Sequence, residues 1–337
     1  MLIVHATNVH QGGGRSLLLP LLEALEPPAA VSVDERLKPL PKLSNGIVVR
    51  TCPPTLMGRL AAEWKLHKTA RSGDVILCFG NLPPLFPTPA RTIVFVQNRY
   101  LLGSESLTFL PWKVRLRLSV ERLWLRLCLR DAELVVQTPT MARAVEKATG
   151  RCAEICAFAA PLTSRETVPD DASRQKIDFL YVASPEPHKN HRNLLLAWSM
   201  LAAEGEAPSL GLTLPPDAPA ELRQQVAVLQ GQGARIEIIE PCAPADMSAL
   251  YARAHALIYP SLFESFGLPL LEAKSSELPI VAAERDYVRD VVAPQEAFDP
   301  LSPVSIARAV RRFQGRTERP LDVTDPAGFL ARLQVKV

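Results

Sequence analysis

Two carboxylates, Glu264 and Glu272, bracket a tight turn in "PSLFESFGLPLLEA", residues 260–273. Gly267 can take backbone angles closed to other residues, and Pro269 suits the first turn of a helix. The run predicts a strand over "HALIYPS", a turn, and a short helix over "LPLLEAKSS". The first amides of such a helix are unpaired and sit at its positive end, so they hold a phosphate well. Carboxylates beside a phosphate are repelled unless they face neutral hydroxyl groups. The pattern therefore fits a ligand that carries both phosphates and many hydroxyls. Upstream, Lys189 in "DFLYVASPEPHKNHRNLLLAW" follows a strand-like run and precedes a helical one. A lysine there can reach a crevice and neutralise a departing phosphate; taken alone, such a lysine is more often a solvated loop residue, and the pairing with the Glu264–Glu272 turn is what strengthens the signal.

These groups need a scaffold, and the apolar pattern supplies one. "MLIVHATN", "GIVVRT", "DVILCFG", "RTIVFVQN" and "ELVVQTP" are strand-length apolar runs, separated or flanked by the helical "RSLLLPLLEAL", "LMGRLAAEWKLHKTA", "KVRLRLSVERLWLRLCLR" and "MARAVEKATG". After a polar stretch the alternation resumes with "IDFLYVAS", "SLGLTLP", "RIEIIEP", "HALIYPS" and "LPIVAAE". Near-continuous apolar strands between amphipathic helices predict a buried parallel sheet. The expected fold is α/β, with two Rossmann-like, doubly wound domains facing a cleft. Residues 1–160 form the first, 161–176 a linker, 177–318 the second, and 319–337 a tail that can pack back on the first. In open sheets of this kind ligands sit beyond the carboxyl ends of the strands, which places the Glu264 turn at the cleft edge.

Composition narrows the function. A chain of 337 residues with 47% hydrophobic and 22% charged content is long enough for two cores. A net charge of +3, with aromatics not interleaved with basic runs, argues against nucleic acid. No apolar run approaches the ~18 residues of a membrane span. The N-terminal "MLIVHATNVHQGGG" reads as a first strand and not as a signal peptide, and six scattered cysteines predict a reducing compartment, the cytoplasm. Cys152 and Cys156 have no second pair and His188 and His191 no third ligand, so no metal is expected.

At this point a resemblance emerges. "FLYVASPEPHKN", "LYARAHALIYPSLFESFGLPLLEA", "LPIV" and "YVRDVV" resemble the group 1 (family 4) retaining, nucleotide-sugar-dependent glycosyltransferases of GT-B architecture. "HQGGGRSLLLPLLEAL" and "RDAELVVQTPTMARAV" resemble the first domain of the same family more weakly. The resemblance implies that Glu264 contacts donor-sugar hydroxyls near the reacting carbon and Glu272 the ribose hydroxyls. It places Lys189 on the diphosphate, with Ser265, Phe266, Gly267 and Leu268 around the anion. Gly12, Gly13 and Gly14 then approach the phosphates or acceptor from the other side. It also implies no cofactor and no metal, a nucleotide diphosphate sugar as donor, and a saccharide or lipid-linked saccharide as acceptor in polysaccharide synthesis.

Three departures from the family pattern stand out. Ala183–Ser184 replaces Gly-Arg, so either nearby Arg192 or His188 substitutes for the arginine beside Lys189 or donor binding is weaker; Ser184 and Arg192 are counted with the donor-binding residues. Glu277 replaces a glycine in "SSELPI", which predicts a changed turn. Gln97 and Asn98 stand where many members carry a histidine; either amide can bond a sugar hydroxyl, but neither is a general base.

Other signals carry two readings each. On "WKVRLRLSVERLWLRLCLR", Arg115, Arg122, Arg126 and Arg130 share a stripe. This is either a helix on an anionic membrane surface or a core helix with a solvated basic face. "GGGRS" lacks the third glycine of a dinucleotide fingerprint, with Leu17 in its place. Asp286, Arg289 and Asp290 read as helix-capping residues that can also line the cleft, and Asp131 as an electrostatic helix end. Rival functions are a nucleotide-sugar epimerase or hydrolase on the same architecture, and a catalytically silent sugar-nucleotide-binding subunit.

Overall fold

The computed structural model describes residues 1–103, 107, 110–159, 176–206, 208–243 and 246–316. Its first half runs β1 (Leu2–Ala6), α1 (Gly12–Glu23), β2 (Ala29–Asp34), β3 (Val48–Cys52), α2 (Leu56–Thr69), β4 (Val75–Cys78), β5 (Arg91–Phe95), α3 (Trp112–Cys128), β6 (Glu133–Val136), α4 (Pro139–Thr149) and β7 (Glu154–Ile155). The second runs β8 (Ile177–Tyr181), α5 (His191–Ala203), β9 (Leu210–Thr213), α6 (Ala220–Gly231), β10 (Ile236–Ile239), α7 (Met247–Ala252), β11 (Ala254–Tyr259), α8 (Leu268–Ser275), β12 (Ile280–Ala283), α9 (Asp286–Arg289), β13 (Glu296–Phe298) and α10 (Pro303–Phe313).

The strands form two sheets, ordered β3-β2-β1-β4-β5-β6-β7 and β10-β9-β8-β11-β12-β13. Every ladder is parallel, and in each sheet the order reverses beside the first strand. That reversal opens a crevice at the carboxyl edge. Each sheet is buried by helices. One face of the first carries Ile76, Val94, Leu118, Leu125 and Val145, and the other Val4, Leu18, Val33, Phe79 and Phe95. In the second, Trp198 of α5 is buried and meets Phe179 edge-on with centroids 5.7 Å apart.

Three strands go beyond the apolar runs. β2 is alanine-rich and follows Pro27–Pro28, while β7 and β13 are only two and three residues long. α1 starts earlier than its leucines suggest: Gly12–Gly14 are its first turn and not a free loop, with Gly12 at a φ of 63°. The basic stripe on α3 needs correction as well. Arg122 Nε donates to the Tyr100 carbonyl at 2.8 Å, and Arg130 donates to the Pro84 and Leu85 carbonyls at 3.0 Å each. Burial lowers the Arg122 guanidinium below its ordinary value, with Arg126 adding to the effect. Two of the four arginines thus hold the first half together, and the exposed face of α3 carries Trp112, Leu116, Val120, Leu123 and Leu127 beside the basic residues that remain outside. The expected tail, and the linker apart from Lys176, lie outside the described residues.

Candidate active site

Lys189 and Glu264 meet. The lysine lies in a 3₁₀ turn (Pro187–Lys189) after β8, and the carboxylate lies in the loop after β11. Because β8 and β11 are neighbours, parallel pairing delivers both loops to the same edge. Lys189 Nζ donates to Glu264 Oε1 at 2.7 Å, and Tyr259 Oη donates to the same oxygen at 2.9 Å. Asn190, in the left-handed region at φ 62°, anchors the lysine loop by donating to the Pro260 and Pro300 carbonyls at 3.1 and 2.7 Å. The Leu262 amide donates back to the His188 carbonyl at 2.8 Å.

A tyrosine floor that sequence reasoning missed lies beneath this pair. Tyr181 and Tyr259 end β8 and β11, and Tyr287 comes from α9. Tyr181 Oη donates to the Lys189 carbonyl at 2.5 Å, and Tyr287 Oη to the Ser261 carbonyl at 2.8 Å. Burial raises all three phenols well above their ordinary value, so they remain donors. The recurring Tyr at the strand ends in "FLYVAS" and "LIYPS" is the sequence signal for it.

Across from this floor the first half closes in. A Cβ added at Gly13 would lie 3.7 Å from Leu268 at the tip of α8, and one at Gly14 would lie 3.8 Å from Gln97 Oε1. Thr138 Oγ1 donates to the Ser265 carbonyl at 3.3 Å. Asp290 does cap a helix, but one in the other half: its Oδ2 accepts from the Thr140 amide in the first turn of α4 at 2.8 Å. Asp286 pairs with Arg143 at 3.3 Å, whereas Arg289 pairs with Glu284.

Gln97 and Asn98 also make bonds within their own half. Gln97 Nε2 donates to the Phe79 carbonyl at 3.1 Å, and Asn98 Oδ1 accepts from the Tyr100 amide at 3.1 Å. Arg99 and Tyr100 of this loop reach the second half, the Arg99 guanidinium lying over the Phe263 ring at 5.5 Å. The Tyr100 hydroxyl lies 3.1 Å from His188 Nδ1, and its ring meets Phe263 edge-on at 5.3 Å. His188 stacks on Phe263 at 4.8 Å, and burial, with Lys189 nearby, lowers its imidazole below the ordinary value.

The turn itself follows the sequence reading. Gly267 has φ 78° and ψ 55° and caps α8, Pro269 sits in the first turn, and Phe266 is buried. Glu272, farther along α8, stands apart from the Lys189–Glu264 pair. Tyr251 Oη donates to its Oε2 at 2.6 Å, and burial raises its carboxyl above the ordinary range despite that bond. The Ser184 hydroxyl is held by Glu186, and Arg192 is exposed on the first turn of α5. A cavity of about 350 Å³ lies under α2, remote from all these groups. No cluster of three or more His, Cys, Asp or Glu side chains suited to a metal is present among the described residues.

The turn at Glu277 is not altered in the expected way. Glu277 itself adopts the left-handed conformation, φ 53°, that a glycine would take freely. A side chain there costs about 1–2 kcal/mol. Glu277→Gly, after the entropy a glycine adds to the unfolded chain, should raise stability by about 0.5–1 kcal/mol in urea denaturation.

Comparison with known proteins agrees with this architecture. The Anabaena protein Alr3699/HepE, solved with UDP and glucose, superposes with a TM-score of 0.66 at 16% identity, covering 93% of this chain and 89% of that one. WaaG, a glycosyltransferase involved in lipopolysaccharide biosynthesis, gives 0.65 at 15%, covering 94% and 90%. The fold is therefore GT-B. Residues 165–322, just under half of the chain, match the model of glycosyl transferases group 1. O-antigen chain mannosyltransferase B of Escherichia coli is 32% identical over 114 residues, 34% of this chain and 30% of that protein. The chain spans less than a third of the length of such curated relatives.

Proposed function

We propose that this protein is a retaining glycosyltransferase that moves a hexosyl unit from a nucleoside diphosphate sugar to a saccharide or lipid-linked saccharide acceptor. One observation carries the reading: Lys189 and Glu264 converge at the carboxyl edge of the second sheet, beside a helix tip that Gly267 turns towards the first half. A cation and oriented amides suit a diphosphate, and carboxylates suit sugar and ribose hydroxyls. The relatives named for O-antigen mannosyl transfer and lipopolysaccharide synthesis, and the neighbour solved with UDP and glucose, support the pathway and donor class. Six free cysteines fit a cytoplasmic setting.

In this mechanism a diphosphate oxygen displaces Nζ from Glu264. The bond from the anomeric carbon to the diphosphate oxygen breaks, and its electron pair leaves with the diphosphate. Lys189 and the α8 amides, with Ser265–Leu268 around them, stabilise that charge as it grows. Glu264, freed from Nζ, accepts hydrogen bonds from the sugar hydroxyls while Tyr259 fixes its carboxylate. Glu272 accepts from the ribose. The acceptor oxygen bonds to the anomeric carbon on the face the diphosphate leaves, and its proton passes to the diphosphate. The mechanism routes no step through a metal. Gln97 and Asn98 hold the loop that carries Tyr100, so their contribution is to position the two halves.

A second reading, a silent sugar-nucleotide-binding subunit, draws on the Ser184 hydroxyl being tied to Glu186 where the family places an arginine. A screen of nucleotide sugars by ligand-observed NMR, followed by detection of released nucleoside diphosphate, tests both. Binding with release that Glu264→Gln abolishes supports the transferase. Binding without release with any acceptor supports the silent subunit. If the folded protein binds none of the nucleotide sugars, both readings are lost.

A further inference from the structure

α3 exposes an apolar ridge. Trp112, Leu116, Val120, Leu123 and Leu127 are 68%, 59%, 55%, 57% and 70% exposed. At 100° per residue they fall within about 80° of arc, on the side away from the buried Leu118 and Leu125. Exposed basic residues flank the ridge on both sides, Arg115 and Arg126 on one and Lys113 and Arg117 on the other. The helix's one acid, Glu121, lies off the ridge and is half-buried; burial raises its carboxyl above the ordinary range against the pull of Arg117 and Arg59.

We infer that α3 lies flat on an anionic bilayer, with the ridge in the acyl boundary and the flanking cations among the head groups. The helix is 17 residues long, and no described helix is long and apolar enough to cross a membrane, so contact is in-plane. Trp112 stands at one end of the ridge, where an amphipathic ring suits the interface. Charge selects this occupant over a second copy: ridge-to-ridge pairing would crowd four flanking cations from each chain together. An anionic surface instead neutralises them. The contact differs from an arginine stripe, because Arg122 and Arg130 are bonded inward and the apolar side chains lead.

The test needs neither donor nor turnover, so it stands or falls separately from the proposed reaction. The full-length protein is sedimented with vesicles of phosphatidylcholine, alone or mixed with phosphatidylglycerol. Binding to the mixed vesicles, weaker with added salt and on neutral ones, is expected. Leu116→Gln/Leu123→Gln/Leu127→Gln, changes at exposed positions with an unchanged circular dichroism spectrum, should lower partitioning at least about tenfold. Arg115→Gln/Arg126→Gln should lower the preference for anionic vesicles by about tenfold. Absence of binding to the mixed vesicles overturns the inference. So does binding that the triple variant leaves intact, or a dimer in sedimentation equilibrium that the triple variant dissolves.

Discussion

Lys189→Ala should lower nucleoside diphosphate release by about 10²–10³-fold, the loss expected when one preorganised charge-stabilising donor is removed. The same change has a structural effect. Glu264 is only 9% exposed, and without Nζ its carboxylate keeps a single donor, Tyr259. Removing one member of a buried ion pair destabilises by about 3–5 kcal/mol; this pair sits at the crevice rim, which puts the expected loss near the lower figure. A neutral partner separates the two effects. In Lys189→Met/Glu264→Gln the isolated charge is gone, so urea denaturation should return close to the parent value. Turnover should stay as low as in the single variant, because the diphosphate still lacks its cation. A double variant that recovered turnover along with stability would reduce Lys189 to a scaffold residue and remove the mechanism's main source of charge stabilisation.

How far this site could be read from sequence follows from the range of each interaction. The turn at Gly267 and the helix after it are local: a glycine, a proline and an apolar run specify them within ten residues, and they stand as expected. The strand at β8 and the helix at α5 were equally visible, so Lys189 could be placed at a strand's carboxyl end. The Lys189–Glu264 bond was out of reach, because it depends on β8 and β11 becoming neighbours across 75 positions of chain. The tyrosine floor was hidden for a different reason. A tyrosine at the end of an apolar strand reads as core, and only the folded loops show where its hydroxyl goes. The setting of Gln97 and Asn98 was out of reach in the same way, because Asn81 Oδ1, from the loop after β4, accepts from both backbone amides at 2.6 and 2.8 Å and fixes that loop from 16 positions upstream. On α3 the charges drew attention first. Which arginines face inward depends on the Pro84–Leu85 and Tyr100 carbonyls of other loops, and with those contacts in place the leucines remain outside.

Beneath the lysine, His191 makes the fold sensitive to acid. It opens α5, is 6% exposed, packs on Tyr181 with centroids 5.0 Å apart, and has a buried Nε2 without a hydrogen-bond partner. Burial first, and the positive charge of Lys189 next, push its imidazole down to about 4, against the opposing pull of Glu186. The unfolded imidazole titrates near 6.5, so on acidification the unfolded chain takes the proton first. Above that value the group is neutral in both states and costs nothing. As pH falls from 6.5 towards 4 each unit lowers stability by about 1.4 kcal/mol, and below 4 the penalty is constant. His188, shifted in the same direction, adds to the loss. Glu272 opposes it, since a carboxyl raised by burial binds its proton earlier in the folded state. His191→Phe keeps a ring against Tyr181 and removes the proton site, so its comparison with the parent isolates one group. Between about pH 7.5 and pH 4.5 the parent should lose about 2–3 kcal/mol more in urea denaturation than the variant. Parallel losses in the two proteins would mean that His191 accepts its proton in the folded state, and that the ground under Lys189 is wetter and more open than its packing indicates.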